Sequence, residues 1–277
     1  MFFVSDVFVD KYIGGAELTS EAIISSAPCS IQKIESSALT IDILKANRDK
    51  YWVFGNFSAV APDVLIYAAK NINYSIIEYD YKYCKYRSPD KHIFFEQKCD
   101  CQHQITGKTV SVFFAKSRSL WFMSEAQKQF YEEKFAFLKT HPSYVLSSVF
   151  NAKTLNLIKD MRVEKKDEWL IVDNGSWIKG APDAITYAKE NNLKYILAQN
   201  YTYKKMLKTL ASCKGLIFLP RGMDTCPRLV IEAKLLDCEL IINEKVQHAT
   251  EEWFADKQSI LSYLETRADF FWNKIIK

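Results

Sequence analysis

The chain has 277 residues, of which 48% are hydrophobic and 25% are charged, a balance typical of a globular protein with a sizeable core. Its formal net charge of +4 favours anionic partners but falls far short of the basic stripes of a dedicated nucleic-acid-binding protein. No apolar run approaches the length of a membrane span, and residues 1–10 lack the basic region of a signal peptide. The seven cysteines, an odd number, favour reduced thiols, so we expect a cytoplasmic protein.

In chain order, short apolar runs alternate with amphipathic stretches. The apolar runs predict strands at residues 2–9, 51–54, 75–79, 109–114, 120–123, 143–147, 169–172, 195–198, 215–219 and 239–242. The amphipathic stretches predict helices at residues 16–26, 61–71, 124–138, 152–161, 181–191, 203–211 and 229–236, with one or two more between 259 and 277. This alternation of strands and helices indicates parallel sheets with helical crossovers.

The polar region 147–156 is the best position for a domain boundary, with 161–168 as a second candidate. It predicts two doubly wound α/β domains, at 1–148 and 149–277, with ligands at the carboxyl ends of the strands. Segment 82–108 interrupts the alternation and is rich in charged residues, cysteine and histidine. We therefore predict an irregular insertion at 82–108 within the first domain.

The segment from Pro220 to Glu232 joins a predicted strand to a predicted helix. Pro227 favours the first turn of that helix, and the backbone N–H groups at a helix start bind phosphate or hydroxyl oxygens. Asp224 lies at the mouth of the loop, and Glu232 lies one turn into the helix, where its carboxylate can accept two hydrogen bonds from a ribose diol. Spacing alone leaves another interpretation open, in which Asp224 caps the helix and Glu232 is an ordinary surface residue. The backbone N–H groups at the start of this predicted helix are those of Thr225, Cys226 and Arg228.

With its preceding strand, this segment resembles the nucleotide-sugar signature of the GT-B retaining glycosyltransferases of family 4. The signature has two acidic residues at the spacing of Asp224 and Glu232, with glutamate rather than aspartate at the first position. The resemblance implies an α/β fold of two Rossmann-like domains that face each other across a cleft. It implies an acceptor-side first domain, a nucleotide-sugar-binding second domain and a last helix that packs back onto the first. It further implies that Asp224 contacts the hydroxyls of the donor sugar and that Glu232 holds the ribose.

A second match covers residues 169–180, which resemble the first strand of the family's second domain and the Lys-Gly pair that follows. The resemblance implies that Lys179 neutralises the donor diphosphate, where negative charge develops in the transition state. Asn174 stands where the family carries an arginine, so we expect Asn174 beside the donor and either Arg221 or Arg228 as the second cation. Outside this context, Lys179 would be interpreted as a solvated lysine.

Two further matches lie in the first domain. Gly14 and Gly15 resemble the Gly-Gly-Ala-Glu turn of the same family, in which glycine lets the backbone approach a phosphate or the acceptor. A plain turn is the alternative. Asp80 ends a predicted strand where the family often carries His-Asp, with Tyr79 in place of the histidine. The resemblance implies that Asp80 orients the acceptor hydroxyl or takes its proton, and an acidic strand end in a turn is the alternative.

Segment 82–108 also offers five side chains that zinc can use as ligands. The Cys-x-Cys spacing is tighter than that of the usual zinc knuckle, so reduced thiols are favoured over a structural metal. The chain also lacks the Asp-x-Asp motif that holds a divalent ion in the other main glycosyltransferase fold. We therefore predict no metal site, and no cofactor apart from the substrate, a UDP- or GDP-sugar. The five side chains belong to Cys84, His92, Cys99, Cys101 and His103.

The implied function is transfer of a sugar from a nucleoside diphosphate sugar to an acceptor hydroxyl, by a hexosyltransferase that retains configuration and needs no metal. The acceptor stays open between a saccharide, a lipid and a modified nucleic acid. One alternative is a glycosyltransferase for modified bases in DNA, which the basic balance and the stretch 82–116 permit. Another is a non-catalytic GT-B-like protein that binds a nucleotide sugar, for which Asn174 and Tyr79 are the motivation.

Overall fold

The structure is a computed structural model that describes residues 1–276. The chain divides into two compact α/β units. The first unit comprises Met1–Val149 and the segment from Arg267 onward, and the second comprises Phe150–Thr266. Each unit has one fully parallel sheet with helical crossovers, as the alternation of predicted elements indicated.

The first unit contains a six-stranded sheet. Its strands are β1 (Phe2–Ser5), β2 (Gln32–Glu35), β3 (Tyr51–Phe54), β4 (Asn73–Glu78), β5 (Leu120–Phe122) and β6 (Ser143–Val145), in the spatial order β2-β1-β3-β4-β5-β6. The connecting helices are α1 (Gly15–Ser25), α2 (Ile41–Ala46), α3 (Pro62–Asn71), α4 (Pro89–Glu96), α5 (Ile105–Lys116) and α6 (Glu125–Lys134). Because β1 is followed by β2 on one side and β3 on the other, the topological switch point lies between β1 and β3, where open α/β sheets bind ligands.

Aromatic rings fill much of the core of the first unit. Trp52, Val53 and Phe54 of β3 are all buried, although successive residues of a strand point to opposite faces of the sheet. Both faces of this parallel strand are therefore covered. Phe113 of α5 stacks on Tyr74 of β4 with ring centroids 4.6 Å apart and meets Phe54 edge-to-face at 5.0 Å. These contacts fasten helix α5 to the central strands.

The second unit contains a four-stranded sheet. Its strands are β7 (Lys166–Val172), β8 (Tyr195–Ala198), β9 (Cys213–Phe218) and β10 (Glu239–Ile242), in the spatial order β10-β9-β7-β8. Its helices are α7 (Ala152–Asp160), α8 (Ala181–Glu190), α9 (Tyr203–Ser212) and α10 (Arg228–Leu235). The switch point of this sheet lies between the neighbouring strands β7 and β9.

Helix α11 (Lys257–Ile275) begins in the second unit and ends in the first. In the first unit, Trp272 donates from its indole Nε1 to the backbone oxygen of Ile23 at 2.9 Å. Arg267 donates to the backbone oxygens of Val145, the last residue of β6, and of Leu146, which follows it. Phe271 is fully buried against Trp121, with ring centroids 4.8 Å apart. The last turns of α11 therefore complete the core of the first unit. Within residues 1–276, no helix combines the length and the apolar character that a membrane span requires.

The strand predicted at residues 109–114 is wrong, because these residues belong to helix α5. The run contains β-branched residues, which favour strands. In the structure, however, Val110, Phe113 and Phe114 are buried at the three- and four-residue spacing of one helix face. The period of burial along this segment is therefore that of a helix.

Segment 82–108 is more ordered than the irregular insertion predicted for it. It contains α4, a 3-10 turn at Cys101–His103 and the first residues of α5. The strand β2 and the helix α2 were not predicted. β2 has no buried residue, since its burial pattern is exposed at two positions and half-buried at the other two, so it leaves no apolar run in the sequence.

Candidate functional site

The loops at the switch point of the second unit bring together two of the predicted motifs. The loop after β7 carries Asn174 and Lys179, and the loop after β9 carries Asp224. Because β7 and β9 are hydrogen-bonded neighbours, both loops leave the same edge of the sheet. The switch point between such strands is the usual ligand position in an open α/β sheet.

Gly180 lets the two loops pack against each other. Its φ of +65° lies in the left-handed region that favours glycine. A Cβ atom at this position would lie 1.8 Å from the backbone oxygen of Leu219, which is the residue after β9. The N–H of Arg221 also donates to the backbone oxygen of Ile178 at 2.9 Å. Glycine at position 180 is therefore required by the close approach of the two loops.

Lys179 and Asp224 form an ion pair between the two loops, with 2.5 Å between Nζ and Oδ2. The Asp224 side chain is largely buried, whereas about a third of the Lys179 side chain is exposed. Two backbone hydrogen bonds fix Asp224. Its N–H donates to the backbone oxygen of Lys245 at 2.9 Å, and its backbone oxygen accepts from the N–H of Gln247 at 3.0 Å. Asp224 is thus held rigidly, and the lysine cation stands at the accessible side of the pair.

The loop after Asp224 leads into α10 as the sequence predicted. Pro227 is the residue before the helix, and no side chain caps the helix start. Asp224 is therefore not the helix cap that spacing alone left open. Thr225, Cys226 and Arg228 are all buried.

Glu232 is a buried carboxylate rather than a surface residue. Its Oε1 accepts a hydrogen bond from the hydroxyl of Tyr203 at 2.7 Å and lies 3.6 Å from Nε of Arg228. Burial raises the pKa of Glu232, and the charge of Arg228 and the hydrogen bond from Tyr203 oppose that rise. Arg228 is also fixed from its other side, since its guanidinium carbon lies 3.6 Å from the ring centroid of Phe150. The carboxylate is therefore pre-positioned one turn into α10.

The two arginines expected to substitute for the missing cation have different surroundings. Arg221 forms a bidentate pair with Asp183 of α8, at 2.6 and 2.7 Å. Arg228 lies at the start of α10 and pairs with Glu232. Asn174 uses its side-chain oxygen to accept from the N–H of Ser176 at 3.1 Å, which stabilises the turn after β7. Of these side chains, Arg228 is the one that pairs with Glu232.

In the first unit, Gly14 and Gly15 lie at the start of α1, shortly after β1. The carboxylate of Glu17 folds back and accepts hydrogen bonds from the N–H groups of Gly14 and Glu17 itself. This is the carboxylate half of a capping box, which satisfies donors that a helix start leaves open. A Cβ at Gly14 would lie 2.5 Å from this carboxylate, so a larger residue would displace the Glu17 side chain.

Asp80, at the end of β4, lies in a network centred on Arg87. Its carboxylate accepts from Arg87 Nε at 2.7 Å and from Lys82 Nζ at 3.2 Å. Burial alone would raise the pKa of Asp80, but the charges of Lys82 and Arg87 outweigh it, and the pKa is lowered. Arg87 also donates to Asp6, which follows β1, and to Asn56 and Ser58, which follow β3. The network therefore covers the switch point of the first sheet.

Sequence reasoning did not identify Arg87, Asp6 or Tyr203 as members of these sites. Arg87 lies in the segment assigned to an insertion, so its partners could not be read from local spacing. Asp6 directly follows the buried strand β1, and an acid in that position is a signal that was available. Tyr203 opens α9, and only the fold brings it to Glu232.

The comparisons with solved structures agree with this architecture. The chain is similar to trehalose-6-phosphate synthase OtsA, with 10% identity and a TM-score of 0.62 over 99% of this chain and 95% of that one. It is also similar to Anabaena Alr3699/HepE in complex with UDP, with 12% identity and a TM-score of 0.55 over 99% and 93%. A third similar structure is the UDP-forming trehalose-phosphate synthase from Burkholderia xenovorans, with 11% identity and a TM-score of 0.52 over 87% and 77%. The chain therefore has the GT-B fold, as predicted. No protein-family model and no curated protein matches the sequence.

Proposed function

We propose that the chain is a glycosyltransferase that moves a sugar from a nucleoside diphosphate sugar to an acceptor hydroxyl. The observation that carries this proposal is the pair of Lys179 and Asp224 at the switch point of the second sheet. A cation and an acid placed together there supply the two groups that the donor needs, one for its diphosphate and one for its sugar hydroxyls. The GT-B fold supports the same activity.

In this proposal Lys179 binds the diphosphate and stabilises the negative charge that grows on it as the glycosidic bond breaks. Asp224 orients the sugar by accepting hydrogen bonds from its hydroxyls. Because Lys179 is partly exposed while Asp224 is fixed by the backbone, donor binding draws the lysine toward the diphosphate and leaves the aspartate in position. The loop backbone from Thr225 to Arg228, with Cys226, contributes donors at the start of α10.

Glu232 accepts hydrogen bonds from the ribose hydroxyls. Arg228 acts through Glu232, because its guanidinium is held between that carboxylate and the ring of Phe150. An Arg228→Ala variant should therefore lose nucleotide affinity, since Glu232 would lose its position and its compensating charge. Unchanged affinity and turnover in this variant would remove Arg228 from the donor site.

We further propose a UDP-sugar as the donor, because the similar protein Alr3699/HepE forms complexes with UDP-glucose and with UDP. Retention of configuration and independence from metal belong to the same proposal. Lys179 supplies positive charge for the leaving diphosphate, and the positioned donor supplies the reacting geometry. A GDP-sugar is the other donor to be tested.

On the acceptor side, Asp80 is proposed to orient the acceptor hydroxyl. Its lowered pKa keeps it ionised and makes it a weak proton acceptor, so a hydrogen-bonding role fits it better than general-base catalysis. Gly14 and Gly15, in the same unit, are proposed to provide close backbone approach to a phosphate or the acceptor. The seven cysteines are free, which fits the proposed cytoplasmic location.

A thermal-shift titration with UDP, UDP-glucose, GDP and GDP-mannose tests donor binding, since a ligand of the folded state raises the melting temperature. Release of UDP or GDP, with saccharide, lipid and hydroxymethylated DNA acceptors in turn, tests turnover. Binding without any release would support the non-catalytic alternative. No stabilisation by any nucleotide would overturn the proposed function.

A further inference from the structure

Four potential metal ligands converge in the first unit, outside the sites described above. Cys84, His92, Cys99 and Cys101 place their sulfur and imidazole nitrogen atoms within 4.8 Å of one another. Three of these side chains are buried and Cys99 is half-buried. His103, the fifth side chain singled out in the sequence, is exposed and lies beside Gln102 instead.

Three of the distances between the ligand atoms match the edges of a tetrahedral zinc site. Zinc binds thiolate at about 2.3 Å and imidazole at about 2.0–2.1 Å, so a tetrahedron has sulfur–sulfur edges of about 3.8 Å and sulfur–nitrogen edges of about 3.5 Å. Here the sulfur atoms of Cys84 and Cys99 lie 3.8 Å apart. His92 Nδ1 lies 3.5 Å from the sulfur of Cys84 and 3.3 Å from that of Cys101.

The surrounding groups orient these ligands as metal sites require. His92 presents Nδ1 to the sulfur atoms, while its Nε2 lies 3.1 Å from Oε2 of Glu96. This is the carboxylate–histidine arrangement that fixes a metal-bound imidazole. The carboxylate of Glu96 is itself held by Lys85 and Tyr86, each at 2.7 Å. The backbone N–H of Tyr86 donates to the sulfur of Cys84, and that of Lys85 to the sulfur of Cys101.

The segment that carries the cluster has little apolar packing of its own. Of the residues of α4, Pro89 and His92 are buried, whereas Ile93, Phe94 and Phe95 are exposed. A segment of this size with so few buried apolar side chains needs another source of stability, and a structural metal is one that small elements use.

We propose that Cys84, Cys99, Cys101 and His92 Nδ1 bind one structural Zn²⁺ ion. Four protein ligands close the coordination sphere, so the site serves the fold rather than catalysis. The ligands come from the turn before α4, from α4 itself and from the turn before α5. Convergence from three elements explains why the tight Cys-x-Cys spacing, considered alone, did not predict a metal.

The zinc ion also determines where Arg87 lies. The turn that begins at Cys84 is closed by a hydrogen bond from the N–H of Arg87 to the oxygen of Cys84 at 2.8 Å. Arg87 has a φ of +54°, which a non-glycine residue adopts only when its surroundings hold it there. Fixing Cys84 to the metal therefore fixes the backbone from which Arg87 reaches Asp80 and Asp6.

Metal analysis of the purified full-length chain tests the site directly. Protein prepared without chelators should contain about one zinc per chain, and X-ray absorption should show three sulfur ligands and one nitrogen ligand. Cys99→Ser and Cys101→Ser should lose the zinc. Cys29→Ser, which changes an exposed cysteine outside the cluster, should keep it. Glu96→Gln should bind zinc about 10–100-fold more weakly in a chelator competition, because it removes the partner of the His92 ring.

Other outcomes would overturn the proposal. They are a wild-type chain that neither contains zinc nor takes it up under reducing conditions, and zinc bound with mainly oxygen ligands. A disulfide between Cys84 and Cys99 in non-reducing peptide mapping would also overturn it. Should the cysteine variants fail to fold, X-ray absorption of the wild-type protein still decides. Removing zinc from the wild type should accelerate amide hydrogen exchange in Cys84–Arg87 and in α4, and leave β9 unchanged.

Discussion

Lys179 and Asp224 meet with 2.5 Å between Nζ and Oδ2, although they are 45 residues apart in the sequence. The pair depends on the crossover that makes β7 and β9 neighbours, and it lies at the edge of the sheet where the two loops leave.

Lys179→Met should reduce sugar transfer strongly, because it removes the cation that faces the diphosphate. Loss of one fixed electrostatic contact in a transition state typically lowers kcat by about 10²–10³-fold. Lys214→Met is the matched control, since it removes the same charge from the start of β9, at the opposite end of the strand. Turnover with UDP-glucose measures the effect. Equal activity of the two variants would exclude a role for Lys179 in catalysis.

Gly180→Ala should destabilise the second unit far more than Gly175→Ala. Both glycines have positive φ values, +65° and +74°, so both variants carry the left-handed strain of about 1–2 kcal/mol. The new methyl group at Gly180 would also lie 1.8 Å from the oxygen of Leu219, whereas Gly175 has no neighbour within 4 Å. Denaturant unfolding measures the difference. Similar losses for both variants would mean that the two loops do not pack as described.

Glu232→Gln should weaken nucleotide binding at least about tenfold, because hydrogen bonds to a charged group contribute about 1.5–3 kcal/mol. An exposed glutamate has a pKa of about 4.3. Because burial raises the pKa of Glu232, the wild-type carboxylate becomes protonated at a higher pH than that. Nucleotide affinity should therefore fall as the pH is lowered toward that raised pKa, and Glu232→Gln should lack this dependence. Calorimetric titration of UDP between about pH 4 and about 8 measures both effects, in a range that begins below the usual pKa of an exposed glutamate.

Glu190→Gln, at an exposed position at the end of α8, is the control for this experiment. It should keep wild-type affinity and the wild-type pH dependence. If Glu232→Gln retains both as well, Glu232 does not hold the ribose.

His248→Phe should stabilise the protein, and most strongly in acid. His248 is fully buried beside Trp253 and Phe254, and neither ring nitrogen has a hydrogen-bond partner in the structure. Burial lowers its pKa to about 3, whereas in the unfolded chain it is near 6.5. The unfolded state therefore binds the proton first as the pH falls from about 6.5 toward 3, and stability is lost over that range.

Unfolding free energies of the wild type and His248→Phe, measured at intervals between neutral pH and about pH 4, test this linkage. The difference in favour of the variant should grow as the pH falls. A constant difference would show that His248 is protonated equally in both states.

The sequence identified the parts of the fold that have a strong local signal. β3 is a continuous apolar run, β9 contains one at residues 215–218, and Pro227 correctly indicated the start of α10. The strand β2 has no apolar run, and residues 109–114 combine strand-like residues with helical burial, so local pattern could not assign them. The elements whose residues are arranged by packing rather than by local pattern were therefore the least predictable.

The candidate sites divide in the same way. Asp224, Glu232 and Lys179 were predicted as donor-site residues because two short segments resemble motifs of one family. The partners of Arg87 follow β1, β3 and β4, so their meeting depends on strand order, which no local pattern contains. The cluster around His92 also could not be predicted from local pattern, because its proposed ligands come from two turns and a helix.

The final turns of α11 have a consequence for how the chain acquires its structure during synthesis. Phe271 and Trp272 belong to the core of the first unit, but the ribosome makes them only after the whole second unit. Residues 1–149 must therefore wait with the face around Trp121 uncovered while translation continues. Domains commonly fold in order as they emerge, and exposed apolar surface in such intermediates promotes aggregation. In this protein the unit that is translated first is the one whose core is completed last.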